Sequence, residues 1–247
     1  MSDRSEAFRR YAADSSLVFG GLAAILLQLA HPVVARGVAE SSSFARDPLR
    51  RLRQTLAYVY AVQLGSPQQH ALAVRRVDSA HTRVTGARDP GLQLWVTATL
   101  AHTGMQVHEL LHGPLPAELA AEVYAASGEL GMSLQLPRHA WPADRAAFDR
   151  YWEAALPTLE VGPAARAVAA ELLAARAAPW WLRLALPAAR EFTAVLLPAR
   201  LRDAYNLPDH PRRGRTVVGV VRMLVRLAPR RLLELPSRRL LADPRRT

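Results

Sequence analysis

Apolar side chains recur along this chain at three- and four-residue intervals, and the helices they predict share a start signal. Asp47-Pro48, Ser66-Pro67 and Asp89-Pro90 each set a side-chain acceptor before a proline, which suits an N-cap followed by the first helical residue. These signals predict helices over 48–64, stopping at Gly65, over 67–81, ending near Gly86, and from Pro90 to Gly113-Pro114. Further helical patterns cover 117–130, 143–155, 163–177, 188–196 and 215–227. The apolar run 17–30 is too short to span a bilayer, is interrupted by Gln28, and follows Asp3, Glu6 and Asp14, so it reads as a buried core helix. No alternating strand pattern, repeat or Gly-rich linker divides the chain. The expected fold is all-α: a single compact multi-helix domain over residues 1–247.

Composition narrows the chemistry. Half of the 247 residues are hydrophobic and 21% are charged, with Ala, Leu and Arg dominant, which favours helices. With no cysteine, disulfides, iron–sulfur clusters, thiolate-held metals and thiol nucleophiles are excluded. Lysine is absent too, so all 32 cationic side chains are arginine, and histidines and carboxylates must carry any catalysis. The net charge of +11 is concentrated: residues 200–247 hold 13 Arg against four acidic residues, a net +9 in a basic amphipathic C-terminal part. Arg215, Arg222 and Arg226 fall within about 40° of one another on a helix ringed by Val and Leu. Such a helix docks on a core or lies on an anionic membrane surface, giving peripheral membrane contact. Nucleic acid is not an expected partner, since aromatics are 6% of residues and no base-reading motif accompanies the arginines. The chain is expected to be unprocessed and cytoplasmic.

One short motif stands out. His108-Glu109-Leu110-Leu111-His112 places two imidazoles four residues apart on one helix face, the spacing of a zinc hydrolase in which the glutamate activates water. Gly113-Pro114 ends the helix at once, and a third ligand could come only from Glu122 or Glu129. The plainer reading is a solvent-facing pair near a helix end, where a cationic imidazole is favoured.

A second constellation is spread along the chain. Residues 28–55, QLAHPVVARGVAESSSFARDPLRRLRQT, carry His-Pro, Gly-Val, Ser-x-Phe, Asp-Pro and Arg-x-x-x-Thr in order. VRRVDSAHTRVTG follows at 74–86, then Asp89-Pro90, Trp95-Val96, and LLPARLRDAYNLP at 196–208. In order and spacing this resembles the catalytic domain of the rubber oxygenase (latex clearing protein) and MpaB-type oxygenase family. The resemblance implies a helical fold enclosing a pocket for haem b, with His81 as the iron ligand, Arg51 and Thr55 on the opposite side, and His31 lining the pocket. It implies a haem-dependent oxygenase or related oxidoreductase acting on a hydrophobic small molecule and dioxygen. Gln54 stands where rubber-cleaving members carry a lysine, a departure that bears on polyisoprene cleavage. The residues alone leave other readings open. A lone helical histidine is more often structural, and Arg51 lies among Arg50 and Arg53 as on a solvated face, although Arg51 and Thr55 share a face by their spacing. A non-enzymatic haem-binding module, the zinc hydrolase and a basic membrane adaptor are the alternatives.

Overall fold

The start signals act as the sequence predicts. In the computed structural model, which describes residues 4–40, 48–176 and 179–242, Ser66 and Gln69 form a reciprocal capping box, with Oγ accepting from the Gln69 N–H and the Gln69 side chain accepting from the Ser66 N–H. Asp89 accepts from the Leu92 N–H at 2.9 Å and Asp144 from the Ala147 N–H at 2.7 Å. Asp47 and the Ser-x-Phe stretch before it lie outside the described residues.

The first seven helices are α1 (Glu6–Ala13), α2 (Gly21–Leu29), α3 (Pro32–Glu40), α4 (Pro48–Leu64), α5 (Pro67–His81), α6 (Pro90–His112) and α7 (Ala117–Met132). They are followed by α8 (Arg145–Ala155), α9 (Pro163–Ala174), α10 (Trp180–Leu196), α11 (Ala199–Ala204), α12 (Pro211–Leu227), α13 (Arg230–Leu233) and α14 (Leu235–Ala242). The described residues contain no strand, so the fold is all-α.

The 23-residue α6, about 35 Å long at 1.5 Å per residue, is the axis of the core. It packs on α2, α7, α12 and the 3-10 turn Ser15–Gly20. α2 is enclosed by the core, with Ala23, Leu26 and Leu27 fully buried. Around the far side of α6, Trp95 stacks on Trp152, which stacks on Phe148, and Trp141 packs against Phe148 and Tyr124. Gly128 of α7 is required by this cluster: a Cβ there would lie 2.8–2.9 Å from three Trp141 ring atoms. The buried Tyr205 hydroxyl donates to the Leu26 carbonyl at 2.8 Å, fastening the end of α11 to α2.

Three expectations are corrected. Residues 17–30 do not form one helix. Asp14 accepts from the Ser16 N–H at 2.8 Å and starts a separate 3-10 turn, whose Gly20 sits so close to α6 that a Cβ would meet Val107 at 3.0 Å. The helix expected at 188–196 begins eight residues earlier, because α10 runs through Pro187 instead of starting after it. The helix expected to reach residue 177 ends at Ala174, where Ala175 turns left-handed at φ 45°.

Among the described residues no single helix is long and apolar enough to cross a membrane. The bent pair of α1 with residues 15–29 has the length and composition together, and its α2 part is core. The basic C-terminal helix docks on the domain: Gly214, Val218 and Val225 are buried, and Arg222 turns inward, its Nε donating to the Leu110 carbonyl at 2.8 Å.

Candidate functional site

Helices α4 and α5 form a hairpin about Gly65 and Ser66, so positions at equal distance from the turn come level. Arg51 lies 14 residues before Gly65 and His81 15 after Ser66, each about 21 to 23 Å from the turn. Arg51 and His81 therefore both lie at the open end of the hairpin, and their side chains interact electrostatically.

His81 is the last residue of α5, half-buried, and its Nδ1 is buried without a hydrogen-bond partner. Burial lowers its proton affinity first and the Arg51 charge second, with Asp78 opposing and Arg88 reinforcing. Its folded pKa thus falls below the ordinary 6.5, so the ring is neutral at pH 7. Arg51 is half-buried too, and burial lowers its pKa, whereas Arg50 and Arg53 are exposed. Thr55 lies one turn along from Arg51; its hydroxyl is exposed and donates to the Arg51 carbonyl at 3.1 Å, which leaves the oxygen as an acceptor. His31 joins α2 to α3; its Nδ1 is also buried without a partner, and burial lowers its pKa against the pull of Asp89.

The loop 82–89 organises these groups. Thr85 donates to Glu40 at 3.0 Å, and a Cβ on Gly37 would lie 2.6 Å from the Thr85 carbonyl, so α3 clasps the loop. Gly86 takes φ 76° and presses on Val33 and Leu92, a conformation only glycine adopts cheaply. His31 and His81 consequently stand at the two ends of a loop held between α3 and α6. Asp78, one turn before His81, pairs with Arg88 at 3.2 Å and accepts from Gln135 at 2.6 Å, and Gln93 bonds both Gln135 and the Ala87 carbonyl. These four residues fix the His81 end of α5. Sequence reasoning missed Gln93 and Gln135, whose only local signal is a polar residue on an otherwise apolar helix face and in a loop.

The His108/His112 pair is only partly solvent-facing: His112 is exposed at the helix end as the plainer reading expected, whereas His108 is half-buried. His108 packs on Tyr11 and on His112, with ring centroids 5.1 and 4.8 Å away, and burial pushes its pKa down to about 4 with His112 reinforcing. His112 Nε2 reaches Asp14 at 2.9 Å and Ser16 Oγ at 3.2 Å. Both contacts use one nitrogen, so the three residues do not form a relay, which needs both. Glu109 is exposed, and among the described residues no three His, Asp or Glu side chains are grouped to hold a metal ion. A cavity of about 390 Å³ opens beside this pair, bordered by Tyr11, Leu119, Val225 and Arg230. A second cavity is lined by Trp180 and Leu184 of α10.

Comparison with known proteins covers both clusters. Residues 9–230 match the catalytic domain described as "ER-bound oxygenase mpaB/B'/Rubber oxygenase, catalytic domain". The chain is 34% identical over 224 residues to the uncharacterized protein Mb2261 of Mycobacterium bovis, covering 84% of this chain and 88% of that one. The same figures hold for the uncharacterized protein Rv2237 of Mycobacterium tuberculosis. No solved structure matches the chain. Since the match runs from α1 into α13 and includes His31, Arg51, Thr55 and His81, this chain belongs to the family of mpaB and rubber oxygenase catalytic domains.

Proposed function

We propose that the protein is a haem-b-dependent oxygenase that acts on a hydrophobic small molecule with dioxygen, and that His81 is the iron ligand. The observation that carries the proposal is the His81 imidazole: buried Nδ1, no hydrogen-bond partner, and held neutral beside a cationic Arg51. Buried polar atoms are nearly always satisfied, and a neutral imidazole is the form that ligates a metal. A haem carries four nitrogen ligands of its own, so one protein imidazole suffices where a bare ion would require a cluster. This unpartnered imidazole is the feature of the chain that supports the group. Haem bound there would supply iron redox chemistry that makes dioxygen reactive toward carbon.

The chain's own residues divide the remaining work. Arg51, half-buried beside His81, would pair with an anionic carboxylate or with negative charge on the reactants, and a half-buried guanidinium acts more strongly there than in water. Thr55 can only accept from a donor, because its proton is committed to the Arg51 carbonyl. The Asp78, Arg88, Gln135 and Gln93 network keeps the end of α5 from rotating, which holds His81 in one orientation.

The test is oxygen consumption by protein expressed with a haem precursor, normalised to haem content. A preorganised cation facing developing charge contributes roughly a hundredfold in rate, so Arg51→Ala is expected to lose about that much while Arg50→Ala and Arg53→Ala stay near wild type. Equal rates across the set remove Arg51 from the site. Full haem occupancy with no oxygen consumption on any hydrophobic substrate favours the non-enzymatic haem-binding reading.

A further inference from the structure

Helix α12 carries two apolar faces, and the domain covers one of them. Gly214, Val218 and Val225 are buried and, at 100° per residue, lie within about 40° of one another. Val220, Met223, Leu224 and Leu227 fall on an arc of about 100° roughly opposite, and Met223, Leu224 and Leu227 are 53%, 58% and 74% exposed. Of the nine large apolar side chains exposed among the described residues, eight lie between Trp180 and Leu232, so the feature is one region rather than scatter. His210 and Gly214, at the start of α12, meet Glu191 and Val195 near the end of α10. α12 therefore runs back along α10, and the 73%-exposed Trp180 lies toward the Met223–Leu227 end.

The border of this face is mostly basic, and Asp209 just before α12 is paired with Arg202. Arg215 and Arg226 lie along one edge, Arg213 at its start, and Arg230 and Arg231 at its end, all exposed. α12 contains no acidic residue, and Glu234 beyond it is paired with Arg238. Two copies docked face to face would bring these like-charged borders together, a juxtaposition that costs binding energy. An anionic bilayer meets both features at once: acyl chains take the leucines, and headgroup phosphates take guanidinium groups in bidentate pairs. Trp180 suits the boundary between them.

We propose that the outer face of α12, with Leu232 and Trp180, docks the protein on the surface of an anionic phospholipid membrane. The contact is peripheral and reversible. It stands independently of the haem reading, since none of these residues belongs to the His81 site.

The test is co-sedimentation of the full chain with vesicles of phosphatidylcholine alone and of phosphatidylcholine mixed equally with phosphatidylglycerol. Binding is expected to the mixed vesicles only and to weaken as salt rises. Leu224→Asp with Leu227→Asp should reduce it more than about tenfold, since each exposed leucine would otherwise insert. Neutralising Arg226, Arg230 and Arg231 to Gln should cost about fivefold per residue, whereas Arg166→Gln on α9 should change nothing. All these side chains are exposed, and an unchanged circular dichroism spectrum verifies folding. Absence of binding to anionic vesicles overturns the proposal, as does binding that the leucine pair does not alter. A dimer in solution that the leucine pair dissociates, without vesicle binding by wild type, assigns the face to a second copy instead.

Discussion

Lowering the pH should unfold this protein partly through one histidine that takes no part in the proposed chemistry. His102 of α6 stacks on Trp152 with ring centroids 3.9 Å apart and planes 13° apart. Burial pushes its pKa down to about 4, the nearby Arg145 pushes the same way, and Asp149 opposes. In the unfolded chain the ordinary value of about 6.5 applies. At neutral pH both states hold the ring neutral and the group contributes nothing to pH dependence. Below about 6.5 the unfolded chain binds a proton that the folded one refuses, so stability falls until the pH nears 4, and then levels. The difference of about 2.5 pKa units corresponds to about 3 kcal/mol, a large share of the 5–15 kcal/mol that holds most domains together. His102→Phe keeps a ring against Trp152 and removes the titration. Urea unfolding from neutral pH down to about 4 should show the variant losing about 3 kcal/mol less than wild type. The other depressed histidines, His31, His81 and His108, act equally in both proteins, so the difference isolates His102. Parallel stability curves for the two proteins would refute the reasoning.

Three further outcomes follow from single contacts. Gly128→Ala forces a Cβ into Trp141, at a cost of about 1–3 kcal/mol; calorimetry should show a melting temperature several degrees lower, and an unchanged one would mean that Trp141 moves freely. His112→Ala leaves Asp14 without its imidazole partner and should cost about 1–3 kcal/mol in chemical denaturation while haem content stays at the wild-type level, and loss of a stoichiometric zinc would contradict this. Arg51→Ala removes a charge that disfavours protonated His81, so the midpoint of His81 in an NMR titration of the haem-free protein should rise toward the ordinary value; an unmoved midpoint would separate the two side chains.

The parts of the fold that were legible in the sequence rest on local chemistry. Ser66-Pro67 and Asp89-Pro90 start helices because an acceptor and a fixed φ act within four residues, and the bounds of α4 and the start of α5 follow to the residue. Near-equal separations from the turn at Gly65 and Ser66 then bring Arg51 level with His81, a placement available from counting. Pro187 misled because a proline inside a pattern usually marks a boundary, whereas α10 continues through it. Contacts between distant segments were not legible at all. The link of His112 to Asp14 joins residues 98 positions apart, and that of Gln93 to Gln135 joins residues 42 apart, with no local pattern to announce either. The outer apolar arc of α12 needed the structure as well, because the sequence shows that Val and Leu surround the helix but not which of them the domain covers.

The central claim is that His81 holds haem. The direct measurement is an equilibrium haem titration followed by Soret absorption, on wild type, His81→Ala and the double variant His108→Ala, His112→Ala. One haem per chain is expected in wild type and in the double variant, with loss of stoichiometric binding in His81→Ala and helical content intact. One haem per chain with an unchanged spectrum in His81→Ala would contradict the claim.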